Sequence, residues 1–381
     1  MAAPFPKQRL IELDGLRGFA LVMILVFHAV SQEGAYPPGS FLAFLQRSAS
    51  MFWTALDLFF VLSGFLIGGI LMDQRGSPHY FKTFYVRRLT RIVPVYFAWV
   101  LAYVLLIALA GNLVVKLSNS GVRPPLDFPI WSHFLFLQNS FEFRFDGIAG
   151  AWFGHLWSLA VEEQFYLVAP LLVRFIPSRR LKWLVAGVVL LAISARIYYR
   201  TMTGMSPTDI TTRTASRMDA LAIGMLAAIV CRSETASSWL RQNLIWLRGH
   251  LATAVVGVAL LFRFSYGSLA VGMQTIGFTW MALFYGLVLL LAVQNRGGIL
   301  AACLRTRFLR ELGSVSYCIY LIHLVLIVSL HAVILHRPPR ISTVAGASVT
   351  LLAICLAYAI AKLSWIYFEG PLQRYGHTFK Y

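Results

Sequence analysis

Ten apolar runs of about twenty residues each leave this chain few folds to choose from. They lie near residues 16–33, 50–72, 92–113, 155–176, 182–200, 216–232, 250–268, 272–293, 312–335 and 342–366. A helix of that length spans the roughly 30 Å hydrocarbon core of a bilayer. Inside hydrocarbon each backbone N–H and C=O needs a partner within the protein, and a helix supplies all of them internally. The runs therefore predict an all-α, polytopic membrane protein with about ten transmembrane helices. Composition agrees: 13% of the 381 residues are charged, against about 25% in soluble domains.

The formal net charge of +18 would suggest nucleic acid in a soluble domain. Here it has another source, because Lys and Arg accumulate in the cytoplasmic loops of membrane proteins. With the N-terminus inside, the inner segments hold the larger share of the basic residues, among them Arg87, Arg88, Arg91, Arg179, Arg180, Lys182, Arg305, Arg307 and Arg310. The expected orientation is N-in, C-in, with no nucleic-acid partner. The first run follows Lys7 and Arg9, and Ala29-Val30-Ser31 has the form of a cleavage site. Glu12, Asp14, Arg17 and His28 crowd that run, which fits a retained span rather than a cleaved leader. Cys231, Cys303, Cys318 and Cys355 have no metal-ligand spacing and are read as core residues; no metal is expected. Trp131–Phe145 in the long outer loop, after Pro124-Pro125, is expected to form a short interfacial helix, and Tyr80–Tyr96 to lie in the interface before the third span.

Against this apolar background a few polar residues stand out, since an ionisable group in a membrane span is a functional candidate by default. Arg17 and His28 share the first span with ten residues between them, roughly 16 Å along a helix axis. Asp57 lies inside the second span, and Glu162 and Glu163 inside the fourth, both about 10 Å from the outer face. Histidine and carboxylates at similar depth could form the dyad that removes a proton from an alcohol. Adjacent glutamates point about 100° apart on a helix, so one of the two faces the site. Arg88 and Arg91 at the inner face suit phosphate recognition, and Glu369, just past the last span, could pair with one of them. Tyr320 and His323 share a face of the ninth span. Arg217 and Asp219 open the sixth and are expected to form a local pair or, alternatively, to contact an acceptor. Taken singly, each of these residues also fits a packing or hydrogen-bonding role.

Four blocks together resemble acyltransferase family 3, the integral membrane O-acyltransferases. They are Leu13–His28, Asp57–Ile67 with its Phe-Phe-Val-Leu-Ser-Gly-Phe core, Arg88-Leu89-Thr90-Arg91 before Pro94, and Trp157–Leu167 with Glu-Glu-Gln-Phe-Tyr. Ser316–His323 and Phe368-Glu369-Gly370-Pro371 match weaker late blocks, and Gly370 departs from the pattern. The resemblance implies a single acyltransferase domain over residues 1–381; the extracytoplasmic hydrolase-like domain that some members append is not expected here, and short loops without a targeting segment fit a bacterial inner membrane. It implies acyl-CoA, acetyl by default, as donor, and the hydroxyl of a carbohydrate or glycosylated small molecule as acceptor. His28 would be catalytic with Asp57 and Glu162; Arg17, Arg88, Arg91 and Glu369 would hold the donor; Ser63, Glu163, Tyr320 and His323 would contact substrate. Transfer could be direct or pass through an acyl-histidine. The alternative from another class is a secondary transporter that exports an acylated product, since intramembrane His, Asp and Glu also serve proton relays.

Overall fold

The computed structural model describes residues 10–31, 36–118, 129–141, 147–265 and 267–381. Among them all regular structure is helical, and ten helices are long and apolar enough to cross a membrane. The protein is an all-α, multi-pass integral membrane protein. The main helices are α1 (Ile11–Ser31), α2 (Ala55–Asp73), α3 (Tyr80–Ser118), α4 (Trp157–Phe175), α5 (Ser178–Met202), α6 (Thr214–Arg232), α7 (Leu244–Phe264), α8 (Phe278–Gln294), α9 (Arg307–Leu335) and α10 (Val344–Ser364).

Several details depart from the expected pattern. Tyr80–Tyr96 is the opening of α3 itself, which runs through Pro94 and kinks at Ala110 (φ −130°, ψ 18°). Helix α10 continues through a π turn, Trp365–Glu369, into a final helix, Gly370–Thr378. The turn is closed by Gly370 N–H donating to the Trp365 carbonyl. A Cβ at Gly370 would lie 2.5 Å from that oxygen, so a larger residue there would force the turn to shift. The interfacial helix is shorter than expected: Trp131–Phe134 is followed by a single 3₁₀ turn, Gln138–Ser140. Phe136 takes a left-handed φ of 53°, which ends the helix. The rest of that expected helix, residues 142–145, and Pro124-Pro125 lie outside the described residues. Cys231 and Cys318 are buried as expected, but Cys303 and Cys355 are exposed. A lipid-facing helix surface is as apolar as the interior, so hydropathy cannot separate the two.

The chain divides into two units. The first contains residues 1–22, 51–75 and 161–314, and its centre is the crossing of α2 with α6. Lipid tails solvate Leu as well as another helix does, so helices in a membrane associate where small residues let backbones approach. Gly64 lies under the Leu221 carbonyl and Gly224 under that of Val61; an added Cβ would come within 2.0 and 2.1 Å of those oxygens. The same device seats α1, where a Cβ at Gly15 would meet the Leu304 carbonyl at 1.9 Å. Arg305 secures that contact through Nε to Glu12 Oε1 at 2.8 Å.

The second unit contains residues 23–50, 76–160 and 315–381. One part of it is aromatic. Trp99 and Trp152 stack with centroids 4.1 Å apart, and each indole N–H donates to the other's backbone carbonyl. Its C-terminal segment lies along the start of α3. Arg87 donates through Nη2 to the Phe379 carbonyl at 2.7 Å and sits over the Tyr381 ring, and Thr83 donates to the Lys380 carbonyl.

Gly224→Val should force α2 and α6 apart and cost at least about 1–3 kcal/mol. A fall in thermal midpoint or loss of monodisperse protein in detergent would register it. Gly187→Ala on α5, where an added Cβ meets nothing within 4 Å, should be neutral or gain a few tenths of a kcal/mol to about 1 from helix propensity.

Candidate active site

The catalytic histidine implied by the sequence pattern stands beside a second one. In the second unit, α1 delivers His28 and α9 delivers His323, and His28 Nδ1 lies 3.1 Å from His323 Nε2. His323 is 1% exposed, and His28 is half-buried. The Ile24 carbonyl, one turn back on α1, also faces the His28 ring. His323 Nδ1 meets the carbonyls of Tyr320 at 2.8 Å and Ile319 at 3.1 Å. Tyr320, its neighbour on the same face, hydrogen-bonds Ser158 Oγ at 2.7 Å and the His155 carbonyl at 2.9 Å.

His155 is a residue that sequence reasoning passed over. It is buried, with its ring edge-on to His323 at 5.6 Å and to Tyr320 at 5.0 Å. The signal was available: a histidine at the very start of the fourth apolar run, one turn ahead of Ser158. The three imidazoles do not converge on a common point, and among the described residues no group of three or more His, Cys, Asp or Glu could hold a metal ion.

The carboxylates belong to the first unit. Asp57 on α2 accepts from Arg217 Nη2 on α6 at 2.8 Å, with both side chains 1% exposed. The guanidinium sits 4.0 Å from the Phe278 ring centroid and 5.7 Å from that of Phe60. Asp219 pairs with Arg196 on α5 at 2.8 Å. Arg196 also donates to the Ser216 and Thr275 carbonyls and to Thr279 Oγ1. Arg217 and Asp219, expected to serve each other, are instead each paired to another helix.

Of the adjacent glutamates, Glu162 is the one that reaches α2. Ser63 donates to Glu162 Oε1 at 3.0 Å, and the single Tyr166 O–H lies within hydrogen-bond distance of both Glu162 Oε2, 3.0 Å away, and Ser63 Oγ, 3.1 Å away. Glu163, the next residue, leaves the helix about 100° around from Glu162. Tyr166 joins the cluster because it lies four residues after Glu162, on the same helix face, a spacing visible in the sequence.

The candidate donor-binding residues have varied surroundings. Arg17 leans on Asp14, 3.5 Å away on the same helix. In the second unit Arg88 lies 6.0 Å from the Phe84 ring, and Arg91 acts electrostatically on Glu369. Glu369 accepts from Ser364 at 2.8 Å.

The Asp57–Arg217 pair can be tested by double replacement. Arg217→Leu strands a buried carboxylate and should cost about 3–5 kcal/mol. Adding Asp57→Leu should restore much of that loss. Thermal unfolding of the single and double variants in nanodiscs measures the coupling.

No solved structure matches this chain. Among curated proteins, it is 24% identical over 376 residues to the O-acetyltransferase OatA of Staphylococcus aureus, covering 96% of this chain and 57% of the relative. It is 25% identical over 380 residues to the peptidoglycan O-acetyltransferase OatA of Listeria monocytogenes, covering 98% and 57%. To the putative peptidoglycan O-acetyltransferase YrhL of Bacillus subtilis it is 27% identical over 378 residues, covering 96% and 55%. The chain thus spans little more than half the length of these relatives. Residues 10–362 match the sequence model of the acyltransferase domain family, and on that match the chain belongs to this family of acyltransferases.

Proposed function

We propose that this protein is a membrane O-acyltransferase that moves an acetyl group from acetyl-CoA to a hydroxyl of a cell-wall polysaccharide. The observation that carries this reading is the His28 imidazole, placed by α1 within hydrogen-bond distance of His323 Nε2. A family match supplies the reaction class, and the names of the relatives suggest peptidoglycan as the acceptor.

In the proposed reaction His28 takes the proton of the acceptor hydroxyl as its oxygen attacks the thioester carbonyl. General-base catalysis of this kind is worth typically 10²–10⁴-fold. Arg17, Arg88 and Arg91 bind the phosphates of the donor, a role their charge and bidentate geometry suit, and Glu369 holds Arg91 in place. The Ser63–Glu162–Tyr166 cluster offers a carboxylate and two hydroxyls, the groups by which carbohydrate hydroxyls are commonly held. Asp57 keeps Arg217 neutralised and α2 in register with α6. The proposed orientation has both termini inside, with the donor arriving at the arginine-rich face.

Two outcomes follow. His28→Ala should abolish acceptor-dependent release of CoA from acetyl-CoA while leaving a folded protein in nanodiscs; substantial residual transfer to purified glycan strands would remove His28 from the mechanism. Arg88→Glu with Arg91→Glu should raise KM for acetyl-CoA by about tenfold or more, roughly the loss of one charge-assisted contact, with a smaller effect on kcat. An unchanged KM would assign both arginines to topology alone.

A further inference from the structure

The contact between His28 and His323 fixes where protons sit. His323 Nδ1 faces two backbone carbonyls, Tyr320 O at 2.8 Å and Ile319 O at 3.1 Å. A carbonyl only accepts, so Nδ1 carries the hydrogen. In a neutral imidazole the other nitrogen is then a lone-pair acceptor. That nitrogen, Nε2, is 3.1 Å from His28 Nδ1, so the hydrogen between the two rings belongs to His28 Nδ1. By the same rule His28 Nε2 carries a lone pair.

We propose that His323 is a positioning residue that holds His28 in the tautomer whose Nε2 can receive a proton. This inference rests on the proposed role of His28 as the base. The backbone of α9 sets the tautomer of His323, and His323, beside the Ile24 carbonyl that faces the same ring, sets that of His28. In other enzymes a carboxylate does this work; here a neutral imidazole does it without adding a charge to the apolar interior.

The proton balance closes. The acceptor O–H proton moves to His28 Nε2 as the oxygen forms a bond to the thioester carbon. The C–S bond then breaks, and the departing CoA sulfur takes the proton from Nε2, giving the ester and free CoA. His28 returns to its starting tautomer, and the Nδ1–H stays where it was. While His28 is an imidazolium, its hydrogen bond to His323 Nε2 becomes charge-assisted and about twice as strong, so His323 also steadies the cation. Tyr320, anchored to Ser158 and the His155 carbonyl, and the edge of the His155 ring keep the His323 side of α9 from shifting.

The test combines ¹⁵N-histidine NMR of the protein in nanodiscs, with His28→Ala for assignment, and kinetics of His323→Leu and His323→Gln. The wild-type spectrum should show His28 protonated at Nδ1 and bare at Nε2. His323→Leu removes the acceptor and should lower kcat by about 10²-fold, within the range seen when the partner of a catalytic or metal-bound histidine is lost, with KM for acetyl-CoA nearly unchanged. His323→Gln, whose amide oxygen can accept from Nδ1–H, should recover kcat to within about tenfold and restore the tautomer. A wild-type spectrum with the hydrogen on His28 Nε2, or full kcat in a folded His323→Leu protein, would overturn the proposal. Should His323→Leu not fold, the wild-type spectrum and His323→Gln decide the matter. An active His28→Ala enzyme would defeat the base assignment and leave the tautomer result intact, so the two failures are distinguishable.

Discussion

A charge placed in hydrocarbon must bring its counter-charge with it, and the first unit is organised by that requirement. Two arginines, Arg196 and Arg217, are almost wholly buried, and each meets an aspartate at 2.8 Å on a different helix. Breaking such a pair strands a charge at several kcal/mol, while the intact pair contributes little net stability. What the pairs supply is register. Arg217 can meet Asp57 only when α6 is set against α2 at one height, and the glycine crossing at Gly64 and Gly224 allows the backbones close enough for that contact. Arg196 ties α5 to the same point and adds Thr279 of α8. Four helices are thus aligned around two neutral pairs.

The second unit handles polarity in another way. Around His28 its polar groups are imidazoles and hydroxyls, which can stay neutral and still pass hydrogen bonds along. His28, His323, Tyr320, Ser158 and the His155 backbone form a connected set. A neutral chain of this kind avoids the desolvation cost of a buried carboxylate yet still orients a ring. One link rests on main-chain carbonyls of α9, rigid acceptors that cannot rotate away. The arrangement is therefore preorganised by a helix rather than by a loop, the condition under which a catalytic group keeps its geometry.

Depth in the bilayer does not by itself say what a side chain touches. Asp57, Glu162 and His28 occur at comparable distances from the ends of their spans. Depth is one coordinate; the direction in which a side chain leaves its helix is another. Asp57 is directed at Arg217, and Glu162 at Ser63 and Tyr166. His28 is directed at an imidazole that stands 295 positions later in the chain.

The number of spans, the helical class, the membrane setting and the family were all legible in the amino-acid sequence, because hydrocarbon permits so few backbone arrangements and because Arg17, His28, Asp57 and Glu162 are costly enough to stand out there. Local spacing also carried the link between Tyr320 and His323 and that between Glu162 and Tyr166. What only the tertiary structure decided was partnership across helices: Arg217 with Asp57 rather than Asp219, His323 as the neighbour of His28, His155 beside both His323 and Tyr320, and two of four cysteines facing outward. Periodicity gives the face a residue occupies on its own helix. It does not say which other helix covers that face, since a lipid-facing stripe and a core-facing stripe are equally apolar. Those choices depend on how glycines let particular helices touch and on which buried charges find each other, and both are set only when the helices pack.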